Sequence, residues 1–473
     1  MKRLKNKGNT TLFWRHIITV LCCITAFMTA PDIDKGVLRT ISAHGASGKG
    51  LSLIRDTEIE TILKSWSAPI FKAAGLSPEA VNIILVKSDE VNAFVAGGAN
   101  IFIYTGLIQK TDNPGELIGV IAHETGHIAG GHLIRSREAM ERASYESIIG
   151  TLLGIGAAIA SGDAGAASAG VMGGSTIAQR RYLTHSRIQE SSADQAALTF
   201  LEKAKINPAG MESFMQKMKA DMYVPESQQS EYTRTHPLME NRMQALEHRA
   251  NQSLYKDRDY PALWQRQHAR MKAKLTGFIH PRHVPWIYDD RDVSIPAQYA
   301  RAIAAYRNIK IDEALNKVDA LIRQEPKNPY FIELKAQILF EFGQIEKAAK
   351  LYRKASDLLP QAPLLKVALA HALIESTPDN DKDRLNEAIK KLESALRKEQ
   401  RSSRIHRLLA IAYGRIGEEN RAKLHLAEEA LLQRRHAYAR QHIEAILSSE
   451  PEGSSTWIKA KDIKSYMDTD DNK

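Results

Sequence analysis

Cysteine is almost missing from this chain: the 473 residues hold two, Cys22 and Cys23, adjacent within one apolar run near the start. If that run is removed on export, the mature protein has no cysteine and no disulfide can hold it. Neither cysteine follows the small residue that a lipoprotein signal requires. Apolar runs of membrane-spanning length are lacking too. The run from Ile17 to Ala30 falls short of the roughly 20 residues a span needs. No concentrated basic patch offsets this, although the net charge is +10 and the pI near 9.3. Lysine and arginine alternate with acids along amphipathic helices, which argues against nucleic acid as a partner.

What stands around the short run is informative. Lys2, Arg3, Lys5, Lys7 and Arg15 precede it, the pattern of an export signal that takes the chain out of the cytoplasm. Ala30 could end the signal, but Pro31 follows and Met28 is not small, so an uncleaved anchor stays open as an alternative. With 43% hydrophobic and 25% charged residues, the remainder can build sizeable cores. The expected division is a signal at 1–30, a small and polar linker at 31–50, a first domain at 51–285 and a second at 290–470.

Within the first domain, the 3.6-residue period from Ile54 to Ala74 predicts a helix. Val81 to Val86 and Ala99 to Tyr104 read as two strands, with Gly97-Gly98 as a turn between them. Asn113-Pro114-Gly115-Glu116 is a helix start: Asn caps, Pro suits the first turn, and Glu complements the exposed amides. Residues 148–178, rich in Gly, Ala and Ser, read as an apolar loop or helical hairpin that could gate a cleft or touch a membrane surface. Helices are expected from Ser186 to Ala204, Pro208 to Met222 and Trp264 to Leu275.

The second domain carries a period. Ala314 and Ala348, Pro326 and Pro360, and Ala388 and Ala422 are each 34 residues apart. Thr377 to Lys382 reads as a six-residue insertion. Gly343 and Gly417 each precede the repeated alanine by five. A 34-residue helix–turn–helix unit with small residues at its crossings resembles the tetratricopeptide repeat, here in three or four copies.

The chemistry concentrates at His123-Glu124-Thr125-Gly126-His127. Residues four apart share one helix face, so both imidazoles can meet one zinc ion. Glu124 stands beside that ion, placed to take a proton from the attacking water and give it to the leaving amine. A catalytic zinc wants a third protein ligand. Glu190, His132 and His236 are the candidates. On an unbroken helix His132 lies nearly opposite the metal face. Glu190 has Asp194 one turn later on the same face, which suits a ligand and a carboxylate that holds a ligand's imidazole N–H.

Asn92-Ala93-Phe94, Thr105-Gly106-Leu107, the His123–His127 helix continuing to His132, Glu190 to Asp194, and Thr235-His236-Pro237 with Arg242 occur in one order. Together they resemble the peptidases related to HtpX and the CaaX prenyl endopeptidases. With the export signal and the repeats, the chain resembles their periplasmic BepA-type group. It departs from the pattern at Val95-Ala96-Gly97-Gly98, where Leu-Pro-Gly-Gly is commoner. The resemblance implies an α-rich α+β zincin-like metallopeptidase domain followed by an all-α tetratricopeptide-type solenoid. It further implies a gluzincin site with His123, His127 and Glu190 on zinc, Glu124 as catalyst and Asp194 behind a ligand. His236 would stabilise the oxyanion, occupy the fourth position at rest, or merely anchor its loop. Substrates would be unfolded or misassembled envelope proteins, outer-membrane proteins above all, with the repeats binding the assembly machinery. An extended substrate would add alongside the strand Ala99 to Tyr104. The rival reading is a chaperone or assembly adaptor with a vestigial zinc site.

Overall fold

The computed structural model describes residues 39–43, 51–132, 135, 186–378 and 381–470. The expected export segment and the Gly/Ala-rich segment 148–178 lie outside the described residues. Among the described residues, no helix is long and apolar enough to cross a membrane.

A five-stranded sheet comes first: β1 (Arg39–Ala43), β2 (Leu51–Arg55), β3 (Asn82–Val86), β4 (Ala93–Ala96) and β5 (Asn100–Tyr104), in the order β1-β2-β3-β5-β4. Two strands escaped the sequence reading at its start. Arg39–Ala43, expected within a linker, pairs antiparallel with β2, which itself occupies the first residues of the expected helix. The helix, α1 (Thr57–Ala73), begins only after Asp56, whose side chain accepts from the Ile59 amide at 2.8 Å.

A further strand changes the pairing. Gly97 and Gly98 do form a turn, with φ of 59° and 95°, the left-handed values that a tight hairpin asks of both central residues. The turn joins β5 to β4, and β3 instead runs parallel to β5. Strand β5 is therefore interior, and among the described residues the edge on that side is β4, where an extended peptide would add. The four residues of β4 are too short to show a period, which is why the pattern missed them.

Helix α2 (Thr105–Lys110) leads to α3 (Pro114–Ala129), which carries the His-Glu-Thr-Gly-His sequence. Asn113 caps α3 through the Glu116 amide at 3.1 Å, and the Glu116 carboxylate accepts from the Asp112 amide at 2.9 Å. Every residue of α3 from Pro114 to Gly126 is buried. Neighbours can approach because glycines face them: a Cβ on Gly119 would lie 2.6 Å from the Met211 Cα, and one on Gly126 would lie 2.7 Å from the Ala193 carbonyl oxygen. Met211 belongs to α5 (Ala209–Met218), and Ala193 to α4, residues 186–203. The short α6 (Glu231–Thr235), α7 (Glu240–Asn251), α8 (Ala262–Ile279) and α9 (Val284–Ile287) complete this part.

His268 of α8 shows how burial sets acid tolerance here. Thr111 Oγ1 donates to the Ile108 carbonyl, so His268 Nε2 must donate to Thr111 Oγ1, at 2.8 Å. Burial and the nearby Lys272 push the imidazole down to about 4. The unfolded chain takes up this proton near pH 6.5 and the folded one near 4, so the stability gained above pH 6.5 is lost as pH falls between them. At pH 5 the loss should be about 2 kcal/mol. Gln at position 268 keeps the donor, and denaturation of His268→Gln at pH 7.5 and pH 5 should show that much less acid sensitivity than the parent.

Beyond Ser294 the chain forms five antiparallel helix pairs among the described residues. They are α10 (Ile295–Arg307) with α11 (Ile311–Gln324), α12 (Pro329–Glu341) with α13 (Ile345–Leu358), and α14 (Pro363–Ser376) with α15 (Lys382–Leu396). Then follow α16 (Ser403–Ile416) with α17 (Glu419–Leu432) and α18 (His436–Ser449) with α19 (Ser455–Asp470). The fifth pair was blurred in the sequence because the alanine and proline registers do not continue through it. Ala314, Ala348 and Ala388 are fully buried where paired helices cross, so the period is a packing requirement. Gly343 and Gly417 end α12 and α16 with φ of 78° and 90°.

The core does not stop at the junction. One continuous cluster holds Trp66 and Ile121 together with Tyr299, Ile303, Phe331 and Ile338 of the first repeats. A charged network crosses with it. Lys274 lies 2.8 Å from Asp56 and 3.4 Å from Glu58, Arg270 lies 2.8 Å from Glu58, and Thr57 donates to Glu333 at 2.6 Å. Further along, Glu399 grips Arg55 through two contacts of 2.7 and 2.8 Å.

Candidate active site

The structure brings His123, His127, Glu190 and His236 together, with one donor atom from each inside a 4.8 Å span. His123 and His127 project from one face of α3, and their Nε2 atoms are 3.1 Å apart. Glu190 of α4 closes the triangle, its Oε2 3.4 Å from His123 Nε2 and its Oε1 3.4 Å from His127 Nε2. These are the edges of a coordination tetrahedron: with metal–donor bonds of about 2.0–2.1 Å, donors stand roughly 3.3 Å from one another.

Asp194, one turn after Glu190, accepts from His123 Nδ1 at 2.9 Å. That holds a proton on Nδ1 and turns Nε2 toward the triangle. Of the two histidines open to Asp194 from the sequence, it takes His123. Arg242, which the sequence motif contained without a role, grips Asp194 at 2.7 and 3.0 Å and reaches Glu190 at 3.2 Å. Burial would push the His123 imidazole down, but Asp194 and Glu190 outweigh it and bring it up to about 10. Glu190 is likewise held well below the usual carboxylate range, because His236, His123 and His127 outweigh its burial.

His132 is not where an unbroken helix would place it. Helix α3 ends at Ala129, and Gly131 takes a φ of 63° that turns the chain back. The His132 ring then meets His127, Nδ1 to Nδ1 at 3.1 Å, on the side of His127 away from the triangle. It braces that imidazole much as Asp194 braces His123.

His236 ends α6 and faces the triangle. Its Nε2 donates to the Ala93 carbonyl of β4 at 3.2 Å, which turns Nδ1 toward the triangle. Nδ1 lies 3.3 Å from His123 Nε2 and 3.2 Å from Glu190 Oε2. Among the described residues, both Glu124 carboxylate oxygens are buried without a hydrogen-bond partner. One of them is 3.3 Å from His236 Nε2, close but out of line for a hydrogen bond. Tyr232, invisible to sequence reasoning, packs on the His236 ring at 4.8 Å, and its buried hydroxyl has no partner among the described residues.

The residues fit a divalent cation on two counts: the donor spacings match, and two carboxylate oxygens without a hydrogen-bond partner among the described residues adjoin the triangle.

Close packing of α3 on α4 sets these distances. In Gly126→Ala the new methyl would push the Ala193 backbone, and with it Glu190 and Asp194, away from the histidines. Metal affinity should fall at least about tenfold, as read by competition with a zinc indicator; an unchanged affinity would show that α4 tolerates the shift.

Residues 54–250 match the model of peptidase family M48, and residues 299–363 match that of the tetratricopeptide repeat. The chain thus carries an M48 peptidase domain followed by tetratricopeptide repeats, an α-rich architecture with one small sheet among the described residues. It is similar to the beta-barrel assembly-enhancing protease of Yersinia pestis, 30% identical over 301 residues, which cover 62% of this chain and 60% of that protein. Its counterpart in Escherichia coli strain K12 is 27% identical over 328 residues, 68% of this chain and 66% of the relative. Metalloprotease LoiP of the same strain is 30% identical over 178 residues, 37% of this chain and 64% of that protein. The chain thus matches less than two thirds of the length of each.

Proposed function

We propose that the chain is a zinc-dependent endopeptidase of the gluzincin type, working in the periplasm on unfolded or misassembled envelope proteins. The observation that carries this reading is the His123–His127–Glu190 triangle at coordination spacing beside the unpartnered Glu124 carboxylate. In it, His123, His127 and Glu190 hold zinc, which supplies a Lewis acid able to polarise a carbonyl and ionise water near neutral pH.

The chain's own residues do the rest. Glu124 takes the proton of the attacking water and passes it to the leaving amine. Asp194, steadied by Arg242, keeps His123 in the tautomer that binds, and His132 steadies His127. The orientation of His236, with Nδ1 facing the triangle while Nε2 donates to Ala93, favours the fourth-donor role in a resting site over oxyanion stabilisation. Ala93 belongs to edge strand β4, so a peptide pairing with that edge would lie against His236 and Glu124.

The substrate class rests on the relatives, two of which are named for enhancing β-barrel assembly. Outer-membrane proteins are then the preferred substrates, and the repeats bind their assembly machinery. The basic, export-like start of the chain supports the location, and a peripheral membrane contact through 148–178 is compatible with it. Metal analysis with proteolysis of a denatured protein tests the core of this. One zinc should sit in the peptidase domain, and a chelator should abolish cleavage until zinc is restored. Full cleavage by metal-free protein would overturn the reading.

A further inference from the structure

A second set of metal-ligating side chains lies in the repeats. His406 stands on α16, and His425 and Glu428 stand three residues apart on one face of α17. His406 Nδ1 and His425 Nδ1 are 3.1 Å apart. Glu428 Oε2 lies 2.6 Å from the first and 3.3 Å from the second. Two ring nitrogens thus face each other across a single carboxylate oxygen. Two of its sides match those of the triangle in the peptidase domain, and the third, at 2.6 Å, is shorter. An ion just above its plane would stand about 2.0–2.1 Å from each corner after a small outward turn of Glu428.

We propose that His406, His425 and Glu428 form a second cation site, taking zinc or a similar divalent transition ion and tying α16 to α17. Two imidazoles and a carboxylate suit that class of metal over calcium or magnesium, which prefer all-oxygen shells. The surroundings hold the three donors in place. Tyr413 stacks on the His425 ring at 5.6 Å and 13°. His406 is buried. Glu429 is drawn aside by Arg407 at 2.7 Å, so Glu428 alone faces the histidines. His425 also lines a cleft with Tyr413, Thr456 and Lys459, which gives a cation a route from solvent.

The position has structural meaning. Apolar packing in the repeats changes hands here: one cluster includes Ile405, Leu409 and Ala422, and the next begins at Leu424 and Ala427. A cation held across α16 and α17 stitches that seam, bracing the last helix pair against the preceding repeats.

Zinc content of the full chain, stripped with a chelator, reloaded with zinc chloride and dialysed, tests the proposal. The wild type should carry one ion more than either His425→Gln or Glu428→Gln. Both variants should cleave a denatured protein as fast as the wild type. Zinc should slow amide exchange across α17–α19 in the wild type alone. The reading is a difference of one ion, so it stands apart from whether the peptidase site binds zinc. Equal metal content in wild type and both variants would overturn it, as would zinc protection that survives both substitutions. Circular dichroism of the metal-free proteins checks that the variants fold, and His406→Gln provides a third should either fail.

Discussion

Replacing Glu124 by glutamine should slow cleavage of an unfolded protein by about 10²- to 10⁴-fold, with zinc content unchanged. Glutamine has the same shape and fits the same buried position, but its amide cannot accept and then release a proton. Glu124 is no corner of the donor triangle, so the ion should stay. The contrast between lost turnover and retained metal is what marks a proton-transfer group. If cleavage survives in Glu124→Gln, the adaptor reading gains, because a site kept for binding has no use for a general base. If metal is lost along with activity, Glu124 is a ligand and the assignment of roles is wrong.

The second large effect is on stability. Lys274 is fully enclosed between α1, α8 and the first repeats, with Asp56 and Glu58 beside it. Burial alone would push its ammonium down, but these carboxylates outweigh it and hold Lys274 well above its ordinary value. Lys274→Met removes one positive charge, taking from buried Asp56 its ion-pair partner and leaving Glu58 to Arg270. Breaking a buried pair in this way costs about 3–5 kcal/mol. Chemical denaturation should show that loss. Adding Asp56→Asn restores the charge balance while keeping a residue able to cap α1, so the double variant should recover much of it. A double variant no better than Lys274→Met would mean that packing, not charge, dominates the site.

The sequence was most legible where chemistry demands particular residues at particular spacings. The four-residue gap between His123 and His127, the same gap between Glu190 and Asp194, and the Asn113 cap each follow from helix geometry. The period of 34 was legible because Ala314, Ala348 and Ala388 sit where only a small side chain fits. What stayed hidden depends on contacts between distant segments. Strand β4 exists because β5 pairs with it. His132 turns back because Gly131 adopts a left-handed conformation, which a helical wheel drawn through Leu133 cannot anticipate. Arg242 stood within a motif, but its grip on Asp194 required α4 and α7 to meet. Tyr232 left no trace, since an isolated tyrosine on a short helix looks like any other.

The shared core at the junction has a consequence for how the molecule comes apart. A Cβ on Gly277 of α8 would lie 2.8 Å from the Ile303 Cβ of α10, and Phe331 belongs to the same cluster as Trp66. Cutting the chain near residue 290 would therefore strip cover from Met271, Leu275 and Phe278, leaving a peptidase half with an oily flank. Heat should melt that half and the leading repeats as a single event, while the far helices, which have their own small cluster, can let go earlier.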